Sequence, residues 1–499
     1  MTKQYHKSIY LDDYQEGKGS TFSIAFGEDE FPLYQYILPM SSIEIKSILG
    51  ISHYKELKIM AEKENRTVNQ YIKLKIALNM KQPKTKISTK DVTFGNSKTV
   101  PFQRWYPYIE GYSPSFVLSL IDSYCPDAHI IYEPFAGTGT TIFASDMRGK
   151  NTLYSEINPV LRFLIKTKIE ILTLPMDERK ALAASIRDLS ESLFDKMKDF
   201  KPSQDLSKNY DLSFGKSVYF PSDQLDHILK IRSYIDKLYD KKKNILADVL
   251  SVATIAILIP VSYLKKQGDV RFKTTKELET QMQYIKDVLP QKLIDISEDI
   301  ENADFSLSCQ HDMVKENAKE IGDVETPMID AVITSPPYLN GTNYFRNTKL
   351  ELWFLRYLHS DADLRMFRDE ALTSGINDVK SEYRSKELLF TSKLFDETEK
   401  VLIAKAYDKR IPLMARCYFN EMYELFSGLT KHLNQDAKIL IDLGDSIFSN
   451  VHIKTDYILV EILNDLGYAL TNREILRQRR SRNGELLSQV LLSFTYNKV

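Results

Sequence analysis

The chain has 499 residues, enough for two or three domains, with 43% apolar and 27% charged residues and a formal net charge of -1. That balance does not advertise a nucleic-acid binder, and no apolar run is long enough to span a bilayer. The polar start MTKQYHKSIYLDDYQEGKGS lacks the apolar core of a signal peptide, and Cys125, Cys309 and Cys417 form no CxxC pair, so we expect a cytoplasmic protein in a reducing compartment with no metal site and no membrane.

In chain order, residues 1–95 read as a mostly helical N-terminal region. Within it, 56–79 suggests two helices broken near Asn65-Arg66, with Thr67 as N-cap, loosely like a ribbon-helix-helix element that would contact DNA. The polar, basic stretch 81–91 reads as a linker. From about 129 apolar runs alternate with helical stretches. His129–Pro134, Asn151–Glu156, Phe305–Ser308, Ala331–Thr334, Ala437–Asp442 and Gln489–Tyr496 suit buried strands, which predicts an α/β domain with a mainly parallel sheet. The charged, helical stretch 171–303 sits where such a unit needs only a short connection, so it reads as an inserted domain and a candidate target-recognition region. A second helical insertion spans about 355–430. The catalytic domain is then 96–170 together with 304–499.

Pro134-Phe135-Ala136-Gly137-Thr138-Gly139-Thr140-Thr141 joins a strand to a helix through a glycine loop. It has no Gly-Lys-Ser/Thr, so it is no phosphate-clamping loop, and it lacks the third glycine of a dinucleotide fingerprint. Glu156 ends the next strand about 20 residues on, where an acid accepts the hydroxyls of a ribose. Asp312, after the Phe305 run, is placed to accept from an adenine amine. Together these suggest an adenosine-type ligand at the carboxyl edge of the sheet.

The glycine loop followed by Thr334-Ser335-Pro336-Pro337-Tyr338 resembles the S-adenosylmethionine-dependent DNA amino-methyltransferases of the N4-cytosine/N6-adenine family. Pro101 to Tyr106, with Ser113-Pro114, resembles the segment these enzymes place beside the methionine end of the cofactor; Arg477 to Gly484 resembles their basic loop before the last hairpin. The resemblance covers about 97–165 and 304–499. It implies a Rossmann-like seven-stranded sheet with helical insertions. It also implies S-adenosylmethionine as cofactor, touched by Trp105, Tyr106, Pro134, Phe135, Ala136, Gly137, Thr138, Gly139, Glu156 and Asp312. By the same resemblance, Ser335, Pro336, Pro337 and Tyr338 would form the catalytic corner. Ser335 and the Pro336 carbonyl accept the two N–H bonds of the target amine, and Tyr338 stacks the flipped base.

The partner implied is double-stranded DNA with a specific short sequence, contacted by Arg477, Arg479, Arg480 and Arg482. The activity would be the modification component of a restriction-modification system, whose cognate endonuclease would be a separate chain. Ser-Pro-Pro-Tyr is commoner among cytosine-N4 enzymes and Asp-Pro-Pro-Tyr among adenine enzymes, so Ser335 favours N4-cytosine, with N6-adenine as the alternative. No Pro-Cys is present for a carbon-5 cytosine enzyme. An RNA or protein amino-methyltransferase and a non-catalytic DNA-binding protein are the rivals. Lys265 to Lys273 is a basic stretch suited to phosphate contacts.

Overall fold

Strong β-formers in short runs build the centre of the molecule. The computed structural model describes residues 99–108, 110–303, 305–339, 344–379, 387–481 and 484–497, with short segments between 9 and 62. Its main sheet has seven strands: β4 (Ile130–Glu133), β5 (Asn151–Ser155), β8 (His311–Lys315), β9 (Ile329–Thr334), β10 (Leu433–Gly444), β13 (Tyr468–Arg480) and β14 (Leu486–Tyr496). Their order is β13-β14-β10-β9-β4-β5-β8. Pairing is parallel from β10 to β8, whereas β14 is antiparallel to both β10 and β13. This is the expected Rossmann-like methyltransferase sheet. Ile131, Ala331, Val332, Ile333, Ile439 and Ile441 are fully buried at its centre, as strands covered on both faces require.

Helices cover the connections. Pro114–Tyr124 is capped by Ser113, whose hydroxyl accepts from Phe116 N at 3.3 Å. Between β5 and β8 the helices Pro159–Thr173, Met176–Lys196, Gln204–Phe214, Ser222–Asp240, Asn244–Ile257, Thr275–Gln281 and Ile285–Asn302 follow one another, interrupted by the antiparallel hairpin β6 (Leu264–Gln267) and β7 (Asp269–Phe272). Apart from Thr275–Gln281, which buries no residue, the apolar faces of these helices share one core with Phe102, Trp105, Phe345 and Trp353. The second helical stretch holds Asp361–Glu370, Lys393–Lys405 and Arg410–Leu429. A further hairpin, β11 (Ser446–Phe448) and β12 (Val451–Ile453), follows β10. Among the described residues no helix is long and apolar enough to cross a membrane.

Three expectations are corrected. Phe305–Ser308 is not a strand. Phe305 packs edge-on against Phe102 with ring centroids 6.1 Å apart, and Arg179 holds the Phe305 carbonyl and Ser306 Oγ; the third strand is His311–Lys315, a few residues on. Arg477, Arg479 and Arg480 lie on strand β13, not in a loop. In 1–95, residues 9–33 contain a three-stranded antiparallel sheet, β1 (Ile9–Leu11), β2 (Phe22–Phe26) and β3 (Asp29–Leu33), so the region is mixed, with helical residues at Lys55, Lys58, Ile59 and Glu62. Apolar and aromatic alternation in Phe22-Ser-Ile-Ala-Phe26 favours strand. Asn65 to Thr67, the linker 81–91 and Arg482 lie outside the described residues.

Candidate active site

A cavity of about 420 Å³ opens at the carboxyl ends of β4, β5, β9 and β10, where ligands bind in open α/β sheets. Pro134, Phe135, Ala136, Gly137, Thr138 and Glu156 line one part; Ser335, Pro336, Pro337 and Tyr338 line another, and Arg477 and Arg479 stand at it as well.

The glycine loop owes its shape to what presses on it. Gly137 has φ +57°, and a Cβ there would come within 3.1 Å of the Tyr108 ring. Its N–H donates to Glu156 Oε2 at 2.7 Å, while Asn158 N donates to Oε1 at 2.8 Å. Burial raises the Glu156 carboxyl to about 7 despite these two donors. Beneath the loop, Lys168 Nζ donates to the Thr138 carbonyl at 2.9 Å, and burial lowers this ammonium to about 7.

Glu133, buried at the end of β4, ties the loop to the Ser335–Tyr338 corner. Its Oε1 accepts from Phe135 N at 3.0 Å and from Thr334 Oγ1 at 2.6 Å; its Oε2 accepts from Thr141 Oγ1 at 2.8 Å and from Tyr112. Desolvation raises its pKa against those four donors. Thr334 is the last residue of β9, so the same carboxylate fixes the strand end that delivers Ser335.

At the corner, register does the positioning. Thr334 pairs with Ile441, which sets Ser335 beside Asp442, and Gly444 pairs with Gln489. Asp442 Oδ2 accepts from Ser335 Oγ at 3.2 Å, Tyr338 Oη at 3.1 Å and Gln489 Nε2 at 3.0 Å; Oδ1 accepts from Gln489 Nε2 at 2.8 Å. Burial raises the Asp442 carboxyl to about 6. Gln489 Nε2 also reaches Tyr338 Oη at 2.9 Å. A Cβ at Gly444 would lie 3.0 Å from the Tyr338 ring, so glycine lets the ring rest on β10 without a shift. Ser335 thus gives its hydrogen to Asp442 and keeps lone pairs for a donor in the cavity.

The remaining predicted residues are placed differently. Trp105 is buried away from the cavity, donating its indole N–H to Asp299 Oδ2 at 2.9 Å, and Tyr106 donates to Glu351 Oε1 at 2.8 Å. From the same segment it is Tyr108, Glu110, Gly111 and Tyr112 that line the cavity. Gly139, with φ +89°, packs on Phe143 and Ile165 at the start of the helix Thr140–Asp146 rather than at the cavity. Asp312 is exposed within β8, accepting from Gln310 Nε2 at 2.7 Å, and Glu316 and Asn317 line the cavity in its stead. The displaced strand accounts for that shift. Arg480 donates to the Gly484 carbonyl at 3.0 Å and is not among the lining residues. Asp442, Gly444 and Gln489 were not singled out from the sequence. The signal available was polar residues interrupting otherwise apolar runs, Ile439-Leu-Ile-Asp442-Leu-Gly444 and Gln489-Val-Leu-Leu.

Among the described residues no group of three or more His, Cys, Asp or Glu side chains is placed to hold a metal ion. Asp445, which also lines the cavity, pairs with His452 at 3.1 Å.

No protein-family model matches the chain, and no solved structure matches it significantly. Among curated proteins it is similar to the type II methyltransferase M.BsoBI of Geobacillus stearothermophilus, 22% identical over 451 residues that cover 80% of this chain and 84% of that protein. It is also similar to the type II methyltransferases M.AvaI of Nostoc sp. (strain PCC 7120) and of Anabaena variabilis, each 26% identical over 413 residues, 77% of this chain and 82% of theirs. The likeness therefore runs through most of the chain and joins a methyltransferase fold to relatives that are methyltransferases by name.

Proposed function

We propose that the protein is a site-specific DNA methyltransferase that moves a methyl group from S-adenosylmethionine to the exocyclic N4 amine of a flipped cytosine, as the modification component of a restriction-modification system. One observation carries this reading: Ser335 to Tyr338 and the Gly137–Glu156 pair line a single cavity. The similarity to type II methyltransferases supports it.

The cavity's residues fit the donor. Glu156 presents a buried carboxylate for ribose hydroxyls, and the glycine loop brings backbone close to a ligand without side-chain obstruction. When bound, S-adenosylmethionine supplies an electrophilic methyl on a sulfonium sulfur. This chain's residues prepare the nucleophile. An exocyclic amine is a poor nucleophile because its lone pair is delocalised into the ring. Ser335 Oγ, its own hydrogen committed to Asp442, accepts one amine N–H, and the Pro336 carbonyl accepts the other. These two bonds draw the nitrogen toward tetrahedral geometry and free the lone pair. The consecutive prolines hold both acceptors in place before the base arrives. Tyr338, anchored through its hydroxyl to Asp442 and Gln489, offers its face to the base, worth about 1–3 kcal/mol. Arg477 and Arg479, alternate residues of β13, both stand at the cavity and meet phosphates beside the flipped nucleotide.

The test is incubation of a plasmid library with labelled cofactor, followed by sequencing that distinguishes N4-methylcytosine from N6-methyladenine. N4-methylcytosine at one short sequence is expected. N6-methyladenine instead would move the assignment to the other amine, and label in transfer RNA but not DNA would remove it. Ser335→Ala and Tyr338→Ala are expected to abolish or sharply reduce transfer while cofactor binding persists; full activity in both variants would sink the corner's role.

A further inference from the structure

The inserted stretch 171–303, outside the segments whose motifs carry the family resemblance, sends one residue, Lys266, into the cavity. Hairpin β6–β7 turns at Gly268 and carries three cations, with Lys273 directly after it as a fourth. Three are engaged within or beside the hairpin. Lys265 Nζ and both ends of the Arg271 guanidinium meet Glu277 at 2.8 Å, which holds that carboxyl below its usual range, and Lys273 Nζ donates to the carbonyls of Pro260 and Ser262 at 2.9 and 2.6 Å. They are therefore poorly placed for the phosphate role expected of this stretch.

Lys266 points to the other face, as strand alternation requires, and lines the cavity. Its ammonium lies 5.1 Å above the Tyr106 ring, donates to Tyr106 Oη at 3.2 Å and stands 3.7 Å from Glu351 Oε1. Tyr106 in turn donates to Glu351, which is buried and whose Oε2 has no hydrogen-bond partner among the described residues. This pair fixes Lys266 while using one of its three hydrogens in a hydrogen bond.

The hairpin is also locked to the helix after the corner. Asn347 Oδ1 accepts from Val270 N at 3.0 Å, and Asn347 Nδ2 donates to the Gly268 carbonyl at 3.1 Å and to Glu110 Oε1 at 3.4 Å. Glu110 lines the same cavity two residues after Tyr108, the ring that presses on Gly137. The cavity lining thus includes a cation on the hairpin and an anion at Glu110, and Asn347 ties the hairpin's backbone to that anion.

We propose that this pair receives the α-amino-acid end of the methyl donor, Lys266 taking the carboxylate and Glu110 the ammonium. The inserted hairpin then completes the cofactor site. The proposal rests on the methyltransferase reading above. A zwitterion needs opposite charges side by side, and a charge-assisted hydrogen bond to a partly buried ammonium corresponds to about 10- to 100-fold in affinity.

The test is calorimetric binding of S-adenosylmethionine, its decarboxylated analogue and methylthioadenosine to the full chain, as wild type and as Lys266→Met and Lys266→Arg. The first two ligands differ only in the carboxylate, and the third lacks the amino-acid end altogether. Wild type is expected to prefer S-adenosylmethionine over the decarboxylated form by about 10- to 100-fold. Lys266→Met should lose that preference, Lys266→Arg should keep most of it, and methylthioadenosine should bind all three proteins alike. Retained preference in Lys266→Met overturns the assignment. So does an equal loss of methylthioadenosine binding, which marks a structural role for the lysine. Wild type that binds S-adenosylmethionine and its decarboxylated analogue equally overturns the assignment and leaves the methyltransferase reading standing. Wild type that binds none of the three overturns both.

Discussion

Replacing Asp442 by asparagine keeps the shape of the corner, removes its charge and changes which atoms donate. In the native arrangement three donors, from Ser335, Tyr338 and Gln489, converge on one buried carboxylate at 2.8 to 3.2 Å. Asparagine has one acceptor oxygen. If that oxygen keeps Gln489, its NH₂ group faces Ser335 Oγ and Tyr338 Oη and donates to them. Ser335 then accepts from asparagine and turns its hydrogen into the cavity, presenting a donor where the amine needs an acceptor. A hydrogen bond involving a charged group contributes about 1.5–3 kcal/mol, and 1.36 kcal/mol is one decade in rate. Asp442→Asn is therefore expected to lower kcat by about 10- to 100-fold with cofactor affinity unchanged. The same reasoning gives a sign in pH. With the carboxyl raised to about 6 by burial, the ionised acceptor is present above pH 6 and is lost as pH falls through it. Wild-type kcat, measured at saturating cofactor and DNA from pH 5 to 8, should fall on the acid side, and the variant should show a flatter limb. Asp378 lines the cavity and is also raised to about 6, so an acid limb that survives in Asp442→Asn assigns the titration there. Turnover of the variant within twofold of wild type would refute the role given to Asp442.

Glu156 should govern binding rather than turnover. Its carboxyl titrates at about 7, the ionised form accepts ribose hydroxyls, and affinity for S-adenosylhomocysteine by calorimetry should therefore weaken as pH falls from 8 to 6. Glu156→Gln should bind more weakly at pH 8 and lose most of that slope; an unchanged slope would place the titrating group elsewhere. Gly444→Ala places a methyl 3.0 Å from a ring held at its hydroxyl by Asp442 and Gln489. The ring must give by a few tenths of an ångström, so kcat should drop about tenfold or more through misplacement of the base, while thermal stability and cofactor binding stay close to wild type. A variant with wild-type kcat would show that the ring's position is not critical.

The parts of the fold that were legible in the sequence follow strand position in the sheet. β4, β5, β9 and β10 occupy interior positions, β14 lies between β10 and β13, and all five announce themselves as apolar runs. The two edge strands, β13 and β8, did not. An edge strand has one side unpaired and tolerates charge there, which also blocks unwanted strand addition. Thus Arg477 to Gly484 reads as a basic loop, and His311-Asp-Met-Val-Lys315 offers no apolar run to mark it as a strand. The apolar pattern that stood in for β8, Phe305-Ser-Leu-Ser, arises from packing on the helical core, which no local period separates from a strand. That displacement leaves Asp312 exposed within β8, while Glu316 and Asn317 line the cavity.

The site was legible where backbone chemistry is distinctive and hidden where long-range register decides. Gly137, Glu156 and Ser335 to Tyr338 are set by their own strand ends. Asp442 and Gln489 reach the corner only because β10 lies beside β9 in one register and β14 runs back against β10 in another. A carboxylate on a fully buried strand costs stability unless donors converge on it. Here the converging donors are the hydroxyls of Ser335 and Tyr338 and the Gln489 amide from β14. An acid in an apolar run, six residues into the hydrophobic stretch that starts at Ala437, therefore points to a partner that must lie across the sheet. In this protein that partner is the corner on which methyl transfer would depend.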